Sequence, residues 1–330
     1  MLEPLLFKRH FVEKVWGGRS LEGRPGIELP EGMRVGETWE IVDRPNENSV
    51  VARGAFEGRT LRELMQIHAD EILGRAPAGK DGRFPLLVKY IDACENLSVQ
   101  VHPDEEAAQR IGGTAEAKTE AWYVLASKPE GVLYCGLRPG VERTAFAGVA
   151  SDEAVVQHMA RWDVAAGDCL FVPGGTVHAI GAGVTILEVQ QNSDTTYRIW
   201  DWGREGRETH VREALQSIRF GEKPHGPAAP AWEGPGVERG EGFERVPLAA
   251  SDFFRMSALR VRGSSLRPAD GTFRIHAVTT GAGALMVEGR PGEWPLRPGD
   301  VWLVPAVCGY HRLEAGPEGL ETIEMTSPPA

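Results

Sequence analysis

Polar and apolar side chains alternate along many short stretches of this 330-residue chain. From Leu97 to His102 the alternation is complete. A strand there puts Leu97, Val99 and Val101 on one face and Ser98, Gln100 and His102 on the other. Ala121 to Leu125, Cys169 to Val172 and Val184 to Gln190 are rich in β-branched and aromatic residues, which predicts further strands. Three stretches change to a helical period. Thr60-Leu61-Arg62-Glu63 is a capping box, and Leu61, Leu64, Met65, His68 and Ile72 form a stripe that stops at Gly74. Asp104 to Ile111, halted by Gly112-Gly113, predicts a short helix, and so does Val211 to Ile218.

Gly221 to Gly236 has four prolines and no hydrophobic period, which predicts a linker or surface loop. An internal repeat falls on either side of it. Gly167-Asp168-Cys169-Leu170-Phe171-Val172-Pro173 parallels Gly299-Asp300-Val301-Trp302-Leu303-Val304-Pro305, with His178 and His311 following. Each copy reads as a Gly-Asp turn into a strand, then a Pro-marked turn that aims a histidine. This pattern resembles the cupins, which are jelly-roll barrels. The expected fold is mainly β: two cupin-type jelly-roll barrels with a few short helices. The expected division is a metal-binding barrel over 1–220, a linker over 221–240, and a barrel without metal ligands over 241–330, whose His276 and His311 are core or surface residues.

Composition narrows the function. Forty Gly and 23 Pro favour a turn-rich β protein, and the length allows a large core without staples. A net charge of −11 disfavours a nucleic-acid partner while leaving room for a small phosphorylated ligand. The scattered Cys94, Cys135, Cys169 and Cys308 read as reduced thiols. With no apolar leader and no membrane-length run, the expectation is a cytoplasmic protein with no membrane partner. The oligomeric state is left open.

Gln100 and His102 share a strand face, Glu120 opens the next strand, and His178 follows a Pro-Gly-Gly turn. Taken singly, each reads more readily as a surface or core residue. Together, two imidazoles, a carboxylate and an amide suit a borderline divalent cation with a coordination position left open.

Six segments carry a family resemblance. Leu97-Ser98-Val99-Gln100-Val101-His102-Pro103 resembles an "LSxQxHP" signature, and Lys118-Thr119-Glu120-Ala121-Trp122-Tyr123 a "GK[TP]ExWY" segment preceded here by Ala117. Val172-Pro173-Gly174-Gly175-Thr176-Val177-His178-Ala179 resembles "xPAGTxHA". The run from Leu187 to Arg198 resembles "xEIQQNSDxTYR". Val15-Trp16-Gly17-Gly18 and Gly36-Glu37-Thr38-Trp39-Glu40 resemble "IWGG" and "GExWE". Taken in chain order, over about the first 200 residues, the six segments are similar to those of the type I mannose-6-phosphate isomerases, in their short bacterial form.

The resemblance implies reversible conversion of mannose 6-phosphate to fructose 6-phosphate through a cis-enediol(ate). It implies Zn²⁺, one per chain, on Gln100, His102, Glu120 and His178, with other divalent ions able to fill the same ligands. The expected catalytic residues are Arg198 and Lys118 as cations and either Glu188 or Asp194 as the proton-transfer base. Asp194 and Arg198 are placed on a loop. Glu188, Gln190 and Asn192 are placed on one strand face, Lys89 is a further candidate for the phosphate, and Trp16 and Glu40 are read as structural. A related aldose or aldose-phosphate isomerase is the nearest alternative activity, and two rivals share the ligand types: a metal-dependent cupin oxidoreductase and a sugar-binding cupin without turnover. The presence of Lys118, Glu120 and Arg198 together counts against the second.

Overall fold

The computed structural model describes residues 2–23 and 25–329. Its N-terminal part is a barrel of two antiparallel sheets. One has six strands in the order His10–Gly18, Val35–Ile41, Leu86–Ala93, Val184–Gln191, Glu120–Ser127 and Cys169–Val172. The other has five: Tyr197–Trp200, Val99–Val101, His178–Ile180, Val132–Leu137 and Met159–Asp163. Between them lies an apolar layer of Trp16, Ile91, Trp122, Leu133, Cys135 and Ile186 with their neighbours.

Both sheets are covered on both faces, and the sequence records it. Leu86–Ala93 is buried at every position, as expected of a strand packed on two sides. The back of the six-stranded sheet, with Val88, Tyr90, Leu187 and Val189, packs on the helix Leu61–Leu73 and on Ile275, Leu303 and Met325 of a second barrel. The back of the five-stranded sheet, with Val99, Val101 and Ala179, is covered by Phe146, Ala214 and Ile218 from helical segments. Leu97 departs from the expected alternation. It precedes the strand and sits in the layer between the sheets, so the regular period begins at Ser98.

The capping box at Thr60 is formed, with Glu63 N–H donating to Thr60 Oγ1 at 3.1 Å and Thr60 N–H to Glu63 Oε2 at 2.8 Å. The helix ends at Gly74, in the left-handed region at φ 61°. A Cβ there would lie 2.2 Å from the Gly271 carbonyl oxygen of the second barrel, so only glycine fits. The proline-rich stretch is irregular over 221–237, as expected of a surface loop, but it is anchored. Ala228 exchanges two backbone hydrogen bonds with Cys169, both 2.9 Å, and Glu238–Gly240 is already the first strand of the second barrel's sheet. The chain also crosses the expected boundary at its start, because Leu5–Leu6 pairs with Val301–Val304 of that sheet.

The second barrel repeats the central pairings of the first. Glu120 stands opposite Val172, and Arg274 opposite Val304, at matching places in the sequence repeat. Val124 exchanges backbone bonds with Gly167 and Asp168 as Val278 does with Gly299 and Asp300. Following the ladders outward, Trp122 corresponds to His276, Glu188 to Glu324, Gln100 to Arg267 and His178 to His311.

Candidate metal centre and active-site cavity

Register assembles the site. Gln100 lies opposite both His178 and Arg198 in the five-stranded sheet, while Glu120 lies opposite Gln190 in the six-stranded sheet. The inner faces of the two sheets therefore deliver these side chains to one end of the barrel. His178 depends on the turn before its strand. Gly175 N–H donates to the His102 carbonyl at 2.7 Å, and a Cβ on Gly174 would lie 2.8 Å from Asp104 Cα. The Pro-Gly-Gly sequence thus lets that turn lie directly on the His102 segment. Ala117 is not among the residues with positive φ, so the alanine costs the preceding segment nothing there.

His102, Glu120 and His178 are buried, and their potential ligand atoms lie within 4.8 Å of one another. Each imidazole donates its Nδ1–H to a backbone carbonyl, His102 to Thr195 at 2.8 Å and His178 to Thr176 at 2.9 Å. This fixes the tautomer and turns both Nε2 lone pairs to the centre. They stand 3.5 and 3.4 Å from the two Glu120 oxygens. Neither Glu120 oxygen accepts a well-formed hydrogen bond, although Lys118 Nζ is 2.8 Å from Oε2. A buried carboxylate with idle lone pairs facing two imidazole lone pairs fits a divalent cation. The Gln100 amide lies 3.2 Å from His178 Nε2, and turning the amide over would offer its oxygen instead.

The electrostatics agree with that donor set. Burial, reinforced by the Lys118 charge, holds His102 well below the ordinary imidazole range, and burial lowers His178. Burial works to raise Glu120, but Lys118 and the imidazoles outweigh it and hold the carboxyl at about 2. Both imidazoles are thus free to coordinate and the carboxylate is charged. A cation bound here would share Glu120 with Lys118, whose Nζ is also 3.1 Å from His102 Nε2.

The centre opens on a cavity of about 140 Å³ lined by Lys14, Trp16, Glu37, Lys89, Ser98, Gln100, Lys118, Glu120, Trp122, Glu188, Thr196, Arg198 and Arg207. Of the two expected bases, only Glu188 is here. Its Oε1 accepts from Trp122 Nε1 at 3.0 Å and its Oε2 is 2.8 Å from Lys89 Nζ. Asp194 is 68% exposed, lies outside the lining and pairs with Arg44 at 2.8 Å. The strand Val184–Gln191 ends before Asn192, which turns away to bond the carbonyls of Asp43 and Phe84. Arg198 belongs to a strand rather than a loop and does not pair with Asp194; its Nη1 donates to the Glu208 carbonyl at 2.7 Å. Lys89 faces inward as expected, and burial lowers it to about 8. Trp16 lines the cavity, whereas Glu40 faces the second barrel and pairs with Arg9 at 3.0 Å.

Sequence reasoning passed over Lys14, Glu37 and Arg207. Glu37 stood inside a quoted motif, and Lys14 shares a strand face with Trp16. No periodic signal marks Arg207. A larger cavity of about 540 Å³ is lined by Lys80, Glu105, Glu116 and Asp252 but by none of the residues of the His102–Glu120–His178 group, so chemistry rather than size selects the smaller one. In the second barrel, Arg274 stands where Glu120 stands in the first, and with Arg267 it pairs with Glu324, at 2.9 and 3.0 Å. His276 and His311 are buried there with their Nε2 atoms 2.9 Å apart. An internal ion cluster occupies the place of the metal centre.

Comparisons with known proteins agree with this geometry. Residues 5–133 match the family model for the phosphomannose isomerase type I catalytic domain. The chain is 34% identical to mannose-6-phosphate isomerase ManA of Bacillus subtilis, over 94% of this chain and 96% of that protein. The crystal structure of mannose 6-phosphate isomerase from Bacillus subtilis superposes with a TM-score of 0.86 at 29% identity, covering 98% of this chain and 99% of the other. A mannose 6-phosphate isomerase solved with zinc bound shares the fold at 16% identity and a TM-score of 0.76, over 99% of this chain and all of the other. Sharing about a third of its residues with such a relative over nearly the whole of both chains, this chain belongs to the type I phosphomannose isomerase family.

Proposed function

We propose that this protein interconverts mannose 6-phosphate and fructose 6-phosphate, using a divalent cation, zinc in the first instance, held by His102, Glu120, His178 and Gln100. The observation that carries the proposal is the buried His102–Glu120–His178 group opening on a cavity that holds both cationic groups and a carboxylate.

The reaction moves one proton between neighbouring carbons. It leaves C2 of the aldose, a cis-enediol(ate) forms, and the proton returns at C1. When bound, the cation supplies Lewis-acid stabilisation of the oxygen that gains charge. The chain's residues do the rest. Of the three carboxylates on the cavity, Glu120 belongs to the ligand group and Glu37 is held by Lys14 and the Trp39 indole, so we assign the proton transfer to Glu188. Trp122 and Lys89 orient its two oxygens. Lys118 and Arg198 add positive charge to the cavity lining, where they favour an enediolate. Trp16, Ile91 and Trp122 line the apolar side, which limits water around the carbanion-like carbon.

The test is turnover of mannose 6-phosphate by purified protein before and after metal stripping, with single ions added back. Loss on stripping and recovery with Zn²⁺ is expected. A folded, metal-loaded protein that leaves mannose 6-phosphate unchanged would refute the reading.

A further inference from the structure

Five cations line the cavity, and their partners differ. Each lysine faces a carboxylate: Lys14 is 3.3 Å from Glu37, Lys89 2.8 Å from Glu188 and Lys118 2.8 Å from Glu120. Arg198 makes no ion pair among the described residues, and its Nε is buried without a hydrogen-bond partner. Arg207 shares the one buried carboxylate of Asp201 with Arg204, at 2.8 and 3.1 Å. Two guanidiniums thus meet at the cavity with less than one carboxylate between them. Burial and then the Arg207 charge lower the pKa of Arg198, a repulsion that a bound dianion would relieve.

Arg207 reaches the cavity because the chain reverses after the strand Tyr197–Trp200. Arg204 N–H donates to the Asp201 carbonyl at 3.0 Å, closing a four-residue turn. Its two central residues, Trp202 and Gly203, both have positive φ, 57° and 76°. This is the turn geometry that favours Asn-Gly, and a bulky tryptophan in its first central position is strained. Tertiary contacts hold it there. Trp202 Nε1–H donates to the Leu97 carbonyl at 2.6 Å, beside the strand that bears Gln100, and the indole lies 4.7 Å from the Trp200 ring. Arg204 fastens the turn again through Glu95, at 3.1 Å, and the Asn96 carbonyl, at 2.9 Å.

We propose that Arg207, beside Arg198, is a phosphate-monoester contact while Arg198 stays with the enediolate, and that Trp202 is a positioning residue whose indole ties the Arg207 turn to the metal-bearing strand. The proposal deepens the isomerase reading and rests on it for the phosphorylated substrate. Arg207 then contributes to holding the substrate in ground and transition states alike, a uniform binding term that acts on KM rather than kcat.

The experiment compares metal-loaded wild type, Arg207→Ala, Arg207→Lys and Trp202→Asn. It measures inorganic phosphate binding by calorimetry, KM and kcat for mannose 6-phosphate, metal content and Tm. Loss of a charge-assisted contact weakens phosphate binding and raises KM roughly 10- to 100-fold in Arg207→Ala. kcat should stay within about threefold and metal content should be unchanged, with partial recovery in Arg207→Lys. Trp202→Asn suits the turn but removes the indole tie, so it should raise KM while keeping Tm. Phosphate affinity equal to wild type in folded Arg207→Ala overturns the Arg207 assignment, and an unchanged KM in Trp202→Asn overturns the positioning role. Should Arg207→Ala fail to fold, Arg207→Lys decides by the same two readings. Arg207-dependent phosphate binding in a wild type that does not isomerise mannose 6-phosphate would sink the isomerase reading and leave the anion contact standing.

Discussion

Glu188 and Asp194 are close in the chain but occupy opposite environments. One is buried in the cavity between Trp122 and Lys89, and the other is exposed and held by Arg44. Only the first can reach a substrate beside the metal centre. Glu188→Gln should therefore lower kcat by at least about 100-fold with metal content intact, whereas Asp194→Asn should stay within about twofold. Equal losses in the two variants would remove Glu188 from the proton transfer. The metal ligands make a separate prediction. His102→Ala leaves Glu120 and His178 with one donor fewer, so elemental analysis should find the ion lost along with activity. Arg198→Ala should keep the ion and lose roughly 100-fold in kcat, as expected when a charge-stabilising donor is removed. A metal-loaded and active His102→Ala protein would overturn the ligand assignment. These residue types were legible in the sequence because ligands and cations are chemically distinctive. What could not be read was which carboxylate faces inward, since that depends on where the strand Val184–Gln191 stops.

Elements set how accurately those residues are held. The turn Pro173-Gly174-Gly175 lies on the His102 segment with no room for a Cβ at Gly174, 2.8 Å from Asp104 Cα. Gly174→Ala must push the turn away and tilt the His178 strand, so metal affinity should fall even though no ligand is changed, by roughly 10-fold or more as for other ligand-supporting changes. Competition with a chelator measures it, and wild-type affinity would show that the turn adapts. The helix Leu61–Leu73 gives a contrasting case. Its capping box lies on the outer side of the six-stranded sheet, so Thr60→Ala should cost about 1 kcal/mol in denaturant unfolding and leave kcat alone. The box and stripe were readable because both are local. The proline-rich stretch is irregular over 221–237, as a surface loop, but what anchors it was not legible because its partners are distant, Ala228 on Cys169 and Glu238–Gly240 on Phe243–Ala250. The type of turn at Trp202 was equally invisible, because a tryptophan there is tolerated only through its bond to Leu97.

At the scale of the molecule, two barrels of one plan hold their sheets together differently. The first gathers a donor set for a cation, and the second joins Arg267 and Arg274 to Glu324 beside His276 and His311. The holoprotein should therefore bind one ion per chain. The histidine pair also makes stability depend on pH. Burial, then the neighbouring cations, lowers His311 to about 4 and His276 well below its usual value. A histidine lowered in the folded state takes up its proton first in the unfolded chain. Its contribution to stability is therefore intact above pH 6.5 and is lost as the pH falls toward 4, by up to about 3 kcal/mol for His311. Unfolding midpoints at pH 7.5 and 5 should differ less in His311→Asn than in wild type. An unchanged difference would mean that the pair does not titrate as described.

The sequence by itself determined the strand-rich class, the duplication, the helix starts and a candidate donor set, because each is written in local period, turn residues or side-chain chemistry. Only the tertiary structure decided which groups share a cavity. Cross-strand register places Gln100 beside His178 and Arg198, and the packing of the second barrel behind the six-stranded sheet buries both faces of Leu86–Ala93. It also decided that Arg207 joins the site and Asp194 does not. These outcomes rest on contacts between residues far apart in the chain, and no local pattern carries them.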